Sequence, residues 1–210
     1  MNFIHRFIPA ESKSSRRILL LLHGTGGNED DMIPLGRDLD SSAALLSLRG
    51  NVLENGMPRF FRRLSEGVFD EADVVRRANE LAEFIGIAAK RYDFQPDQMT
   101  AVGYSNGANI AAAVLLLRPG TITSAILLRA MVPLIPAVQP DLSSARVLIS
   151  SGKLDPIVPL ENVERLAAMF RQAGAEVSHH FEDAGHQLVF SEIEAARKWL
   201  QKSSASGNPV

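Results

Sequence analysis

The segment richest in chemistry is Gly103-Tyr104-Ser105-Asn106-Gly107. It lies between an apolar run, Met99 to Gly103, and an alanine-rich stretch of helical character that begins just after Ser105. A G-x-S-x-G sequence in that setting marks a serine held on a tight strand-to-helix turn. The flanking glycines remove Cβ atoms that such a turn would crowd, and Ala108, Ala111 and Ala112 let the helix approach the strands closely. The helix points its positive end toward Ser105, where a developing oxyanion would be favoured.

A serine hydroxyl is a weak nucleophile at neutral pH and needs a base, itself oriented by a third group. Arg146 to Ser150 reads as a strand running into Ser151-Gly152-Lys153-Leu154-Asp155-Pro156, and Glu176 to Glu182 as another running into Asp183-Ala184-Gly185-His186. Both turns fall on the carboxyl edge of a parallel sheet, the edge that carries Ser105 and the one where such sheets place their sites. Asp155 is therefore the candidate orienter and His186 the candidate base, in the chain order Ser, Asp, His. Glu182 and Asp183 are competing acids, though they stand so close to His186 in sequence that they would have to fold back to orient it. His23, His179 and His180 are rival bases. The last two are neighbours on a predicted strand and point to opposite faces, which argues against a shared metal.

Acyl transfer also needs two N–H donors for the oxyanion. Leu19 to Leu22 leads into the glycine-rich turn His23-Gly24-Thr25-Gly26-Gly27-Asn28, which can present the N–H of Thr25, while Asn106 presents the other. A phosphate-binding reading of this turn fails, because neither G-x-x-x-x-G-K-[ST] nor G-x-G-x-x-G is present. Glu29, Asp30 and Asp31 are read as the first turn of a helix, favoured by its dipole, rather than as metal ligands. No metal or cofactor is expected.

The elements that must position these groups alternate short β-branched or leucine-rich runs with longer stretches of helical period, the mark of an α/β fold with parallel strands and crossover helices. Seven strands are expected: Phe3 to Ile8, Arg17 to Leu22, Ala43 to Leu48, Met99 to Gly103, Ala125 to Arg129, Arg146 to Ser150 and Glu176 to Glu182. Helices are expected after Ser105, over Asp73 to Tyr92, over Leu160 to Gln172 before Gly174, and over Leu188 to Gln201. Gly50 to Asp70 is too long for an ordinary connection of about 2–6 residues and reads as a binding loop, a lid or a packed surface loop. One domain over residues 1–202 is expected, with a flexible tail over 203–210.

Composition narrows the function classes. A chain of 210 residues with 46% hydrophobic and 22% charged residues is an ordinary globular protein, not a disordered or collagen-like one. Lys and Arg number 22 against 24 Asp and Glu, so no global field draws the chain to nucleic acid, and no nucleic-acid partner is expected. The absence of cysteine excludes disulfides, thiolate metal sites and a cysteine nucleophile. The longest apolar stretches, Ile18 to Leu22 and Ile110 to Leu117, fall far short of the roughly 18–20 residues of a membrane span, so no stable membrane insertion is expected. The N-terminus lacks a basic region followed by an apolar core, which points to a cytoplasmic protein.

These residues give the chain a family likeness. From Leu19 through His23-Gly24-Thr25-Gly26-Gly27-Asn28-Glu29 to Gly185-His186-Gln187-Leu188, it resembles the bacterial carboxylesterase/phospholipase branch of the α/β-hydrolase superfamily, which also contains acyl-protein thioesterases. The likeness includes Arg49-Gly50-Asn51-Val52, Glu54-Asn55-Gly56, Ser105 with its flanks, and Gly152 to Pro159. It implies an α/β-hydrolase fold, a mostly parallel sheet of about seven strands with helices on both faces and no large cap domain. It also implies Ser105 as nucleophile, His186 as acid and base, Asp155 as its orienter, and the N–H groups of Thr25 and Asn106 as the oxyanion hole. Homodimeric members of the family make a homodimer an expectation. Acyl-protein thioesterases usually carry Gln after the serine, where this chain has Asn106, which weighs against protein depalmitoylation. Dienelactone hydrolases use a cysteine that this chain lacks.

The expected activity is hydrolysis of small or medium acyl esters through an acyl-enzyme, with acyl thioesterase or lysophospholipase as alternatives on the same triad. Activity should rise with pH through the ordinary histidine range, about 6–7, because the base acts when neutral. With no insertion between Ile126 and Arg146 large enough to form a helical cap, an open apolar acyl pocket is expected, lined by His23, Phe60, Phe61, Met131, Val132 and Leu134. Two readings of other kinds remain. One is a non-catalytic α/β-hydrolase scaffold that binds a small ligand or a protein partner. The other is an enzyme recruited to lipid through Arg59, Arg62 and Arg63.

Overall fold

The computed structural model describes residues 3–11 and 15–205. In chain order the strands are β1 (His5–Ile8), β2 (Ile18–Leu22), β3 (Ala44–Leu48), β4 (Val52–Glu54), β5 (Met57–Arg59), β6 (Arg63–Ser65), β7 (Val68–Phe69), β8 (Met99–Tyr104), β9 (Ser124–Leu128), β10 (Arg146–Gly152) and β11 (Glu176–Glu182). The α-helices are α1 (Ile33–Leu39), α2 (Glu71–Tyr92), α3 (Asn106–Leu117), α4 (Leu160–Gln172) and α5 (Phe190–Ala205).

Seven strands make one sheet in the order β1-β3-β2-β8-β9-β10-β11, parallel throughout except that β1 runs antiparallel to β3 at the edge. The inner strands are apolar on both faces because both are covered. Leu20, Leu22, Leu46 and Ala101 pack with Val74, Leu81, Ile110 and Leu166 of α2, α3 and α4. The alternate residues Leu19, Leu21, Leu45 and Val102 pack with Leu39, Ala196 and Trp199 of α1 and α5 on the opposite face. Strand periodicity thus sorts one sequence into two cores.

From β2 the chain steps to β3 on one side, where the N-terminal β1 adds the antiparallel edge, and from β8 it steps through β9 and β10 to β11 on the other. The turns after the adjacent strands β2 and β8 therefore face each other where the winding reverses, the position at which open parallel sheets form a crevice.

The seven expected strands are those of the sheet, each matching within two residues at either end. Three regions differ from expectation. Gly50 to Asp70 is not a plain loop but two small antiparallel hairpins, β4–β5 and β6–β7. Glu29, Asp30 and Asp31 do not open a helix: α1 starts at Ile33 with no acidic residue in its first turn. Their carboxylates serve loop contacts instead, Glu29 with Arg49, Asp30 with Arg6, and Asp31 with the N–H of Asn28. At the C-terminus, α5 continues to Ala205, past the expected end at Gln201, and 206–210 of the expected tail lie outside the described residues.

Candidate active site

Ser105 occupies the turn between β8 and α3 with φ 52° and ψ −113°, a left-handed conformation that a non-glycine residue adopts only when its surroundings impose it. The neighbours do impose it. The Ser105 N–H donates to Leu128 O at 2.8 Å and the Ser105 carbonyl accepts from Asn109 N at 3.0 Å. A Cβ at Gly103 would lie 2.6 Å from the Ala108 backbone, and one at Gly107 would lie 2.0 Å from the Leu22 carbonyl oxygen. Glycine at both places is what lets α3 rise against β8 and β2 with the serine at its tip.

His186 follows β11, with Nε2 3.0 Å from Ser105 Oγ and Nδ1 2.7 Å from Asp155 Oδ2. The contact with an acceptor-only carboxylate requires the proton on Nδ1, so Nε2 accepts from the Ser105 hydroxyl. The Asp155 side chain is fully buried, and its other oxygen accepts from Ile157 N and Val158 N at 2.8 and 3.2 Å. The turn after β10 thereby holds one carboxylate oxygen and leaves the other to His186.

Below His186 lies a residue that the sequence did not disclose. Arg129, just after β9, is wholly buried with φ 58°. Its Nε donates to Gly185 O and its Nη2 to Gln187 O, both at 2.9 Å, so one guanidinium holds the carbonyls on either side of His186. The same group pairs with the buried Glu192 at 2.6 and 2.8 Å, and Glu192 also accepts from Ser150 Oγ and Val189 N. Tyr104 Oη donates to the His186 carbonyl at 3.1 Å.

The first hairpin braces the other side of the site. Gly26 N donates to Pro58 O at 2.9 Å, Arg59 Nη1 to Thr25 Oγ1 at 2.5 Å, and Phe60 N to Asn106 Oδ1 at 2.7 Å. Thr25 and Asn106 are thus tied to one segment, and Asn106, as the first residue of α3, has a backbone N–H with no intrahelical acceptor. Both line, with Ser105 and His186, a cavity of about 220 Å³.

A family model for phospholipases and carboxylesterases matches residues 4–204. The chain belongs to the phospholipase/carboxylesterase family. This family member is a hydrolase with an α/β-hydrolase fold, and its relatives agree. It is 50% identical to the protein MhqD of Bacillus subtilis (strain 168) over 193 residues, 92% of this chain and 96% of that one. It is similar to the Bacillus cereus carboxylesterase, with 47% identity, a TM-score of 0.92 and coverage of 96% and 94% of the two chains. The Mesorhizobium loti carboxylesterase gives 34% identity, a TM-score of 0.89 and coverage of 95% and 94%.

In this carboxylesterase-family chain the rival groups are occupied elsewhere. His23 is buried, with Nδ1 2.6 Å from Gly24 O and Nε2 accepting from Gly50 N at 3.0 Å. Burial holds its imidazole below the usual histidine range, so it stays neutral as a fastener between two loops. His179 meets Ser151, His180 meets Glu182, and Asp183 meets Lys153.

The expected acyl pocket needs correction. Of its six residues, Met131 lines the cavity, whereas His23, Phe60, Phe61, Val132 and Leu134 do not. Phe60, Phe61 and Leu134 are core residues, and Val132 is spanned by a bond from its N–H to Asn162. The cavity wall is not simply apolar: Phe69, Met131, Ile157 and Val158 share it with Arg59, Arg63, Glu66 and Asn109. Sequence reasoning misassigned the wall because an aromatic pair between arginines reads equally well as pocket or core. The Asn55-Gly56 dipeptide, a strong hairpin signal, was the available clue to where that pair turns. Its two residues have φ 52° and 80°.

Proposed function

We propose that the chain hydrolyses short carboxylic esters with Ser105 as nucleophile, His186 as general base and then acid, and Asp155 as the orienting carboxylate. The observation that carries this reading is the continuous contact from Asp155 through His186 to a strained Ser105 inside one cavity. His186 Nε2 takes the Ser105 proton as Oγ bonds to the ester carbon. The carbonyl oxygen becomes an oxyanion held by the N–H groups of Thr25 and Asn106, and the C–O bond to the alcohol breaks as His186 returns the proton to it. Water then repeats the sequence on the acyl-enzyme, releasing the acid and restoring Ser105.

A cavity of about 220 Å³ lies below the roughly 300–1,000 Å³ typical of drug-sized ligand sites, which supports short acyl groups over long chains. Labelling with a fluorophosphonate tests the reading. A single adduct on Ser105, and a fall in esterase activity of about 10⁴-fold or more in Ser105→Ala, are expected. Labelling elsewhere, or a loss of only a few-fold, would remove Ser105 from the role.

A further inference from the structure

Two arginines on the cavity wall have more donors than acceptors. Arg59 is buried to 3% exposure at the end of β5, yet only two of its three nitrogens are engaged: Nε donates to Phe61 O at 3.2 Å, and Nη1 to Thr25 Oγ1. Nη2 has no acceptor among the described residues, and it is not sealed off from solvent. Arg59 itself lines the cavity, beside Thr25 and Asn106. Arg63, on the same wall, donates from Nε to Glu54 at 2.8 Å, and its terminal nitrogens have no acceptor among the described residues.

Charge points the same way. Glu54 lies 3.2 Å from Arg59 and 2.8 Å from Arg63, so two guanidiniums share one carboxylate and the cluster keeps an excess positive charge. Glu66 on the rim is exposed, where water screens it. Arg129, the third arginine on the wall, is already matched by Glu192. Asn109 adds a neutral donor, since its Oδ1 accepts from Met131 N and no acceptor for its NH₂ is present among the described residues.

A buried guanidinium with a free edge, beside the turn that carries a proposed oxyanion donor, fits a planar anion. We propose that Arg59, with Arg63 beside it, forms a carboxylate-binding subsite of the active cavity, and that the substrates are short esters bearing a carboxylate, such as half-esters of dicarboxylic acids. This rests on the esterase reading above and adds to it the substrate class. The acyl carbon would sit at Ser105 while the distal carboxylate accepts from the Arg59 Nη2 edge.

The test compares monomethyl glutarate with its neutral isostere, methyl 4-carbamoylbutanoate, following acid release at constant pH. The wild type should prefer the carboxylate ester in kcat/KM by about tenfold or more, the scale of a hydrogen bond to a charged group, with a preference that shrinks as salt is added. Arg59→Met should bring the ratio near one even if it slows both esters, because the loss of its bond to Thr25 affects both alike. Arg63→Met, on the more exposed arginine, should lower the ratio partway and guards against poor folding of the Arg59 variant. A wild-type ratio near one with Ser105 still labelled by fluorophosphonate overturns the subsite alone. Hydrolysis of both esters that survives in Ser105→Ala overturns the reading beneath it.

Discussion

Arg129 and Arg59 are both buried arginines on one cavity wall, and they differ in what their nitrogens touch. All three nitrogens of Arg129 donate to protein acceptors, two of them to the Glu192 carboxylate and two to the carbonyls that flank His186. Among the described residues, Arg59 leaves one terminal nitrogen without an acceptor and shares its carboxylate with Arg63. Burial of a charge is unfavourable unless it is paired and hydrogen-bonded, so the first arrangement is structural, whereas the second keeps a donor for water or for the ligand proposed above. One residue type thus builds a clamp on one side of Ser105 and a proposed recognition edge on the other.

The comparison is broken most sharply at Arg129. Arg129→Met should destabilise the fold by about 3–5 kcal/mol, since Glu192 is left buried without its partner, and the double variant with Glu192→Gln should recover part of that in urea unfolding. With Gly185 and Gln187 released, His186 loses its placement and the fluorophosphonate labelling rate should fall by about a hundredfold in whatever remains folded. Loss of carboxylate preference in this variant, with labelling intact, would exchange the roles assigned to the two arginines.

Arg59→Met should cost less, about 1.5–3 kcal/mol, because Glu54 keeps Arg63, and its main signature is the substrate ratio rather than the melting point. Asn106→Ala removes the acceptor for the buried Phe60 N–H and should destabilise by about 1–3 kcal/mol, measurable by urea unfolding, with the hairpin brace loosened and both esters slowed together.

The smallest effect lies on β11, at a residue that bonds to neither arginine. Burial, reinforced by the charges of Arg171 and His180, lowers His179 from 6.5 to about 4. Between those values the unfolded chain binds a proton that the native protein does not. His179 therefore adds stability that is fully present above pH ~6.5 and is lost as pH falls toward ~4. His23, also lowered by burial, acts in the same direction. A His179→Gln variant should show a flatter stability profile across that window in unfolding curves collected at stepped pH, and an unchanged slope would place the titration elsewhere.

The Ser105 turn, the placing of Asp155 and His186 in turns after later strands, and the seven strands were legible because each rests on local chemistry: glycine pairs where no Cβ fits, apolar runs at strand length, and turns that follow them. The wall of the cavity was not. Phe60 and Phe61 lie one and two residues from Arg59, and only their packing into the larger core sends the rings inward while Arg59 lines the cavity.

Local sequence by itself determined where the chain turns, which serine stands on a strained turn and which acid and histidine follow it at the same sheet edge. Tertiary structure alone decided that Arg129, 56 and 58 residues before the carbonyls it grips, would hold His186, and that Arg59 Nη2 would have no acceptor among the described residues. The reason is physical. Turn and strand preferences act between neighbours in the chain, whereas the pairing of a buried charge depends on which distant acceptors folding brings within about 3 Å.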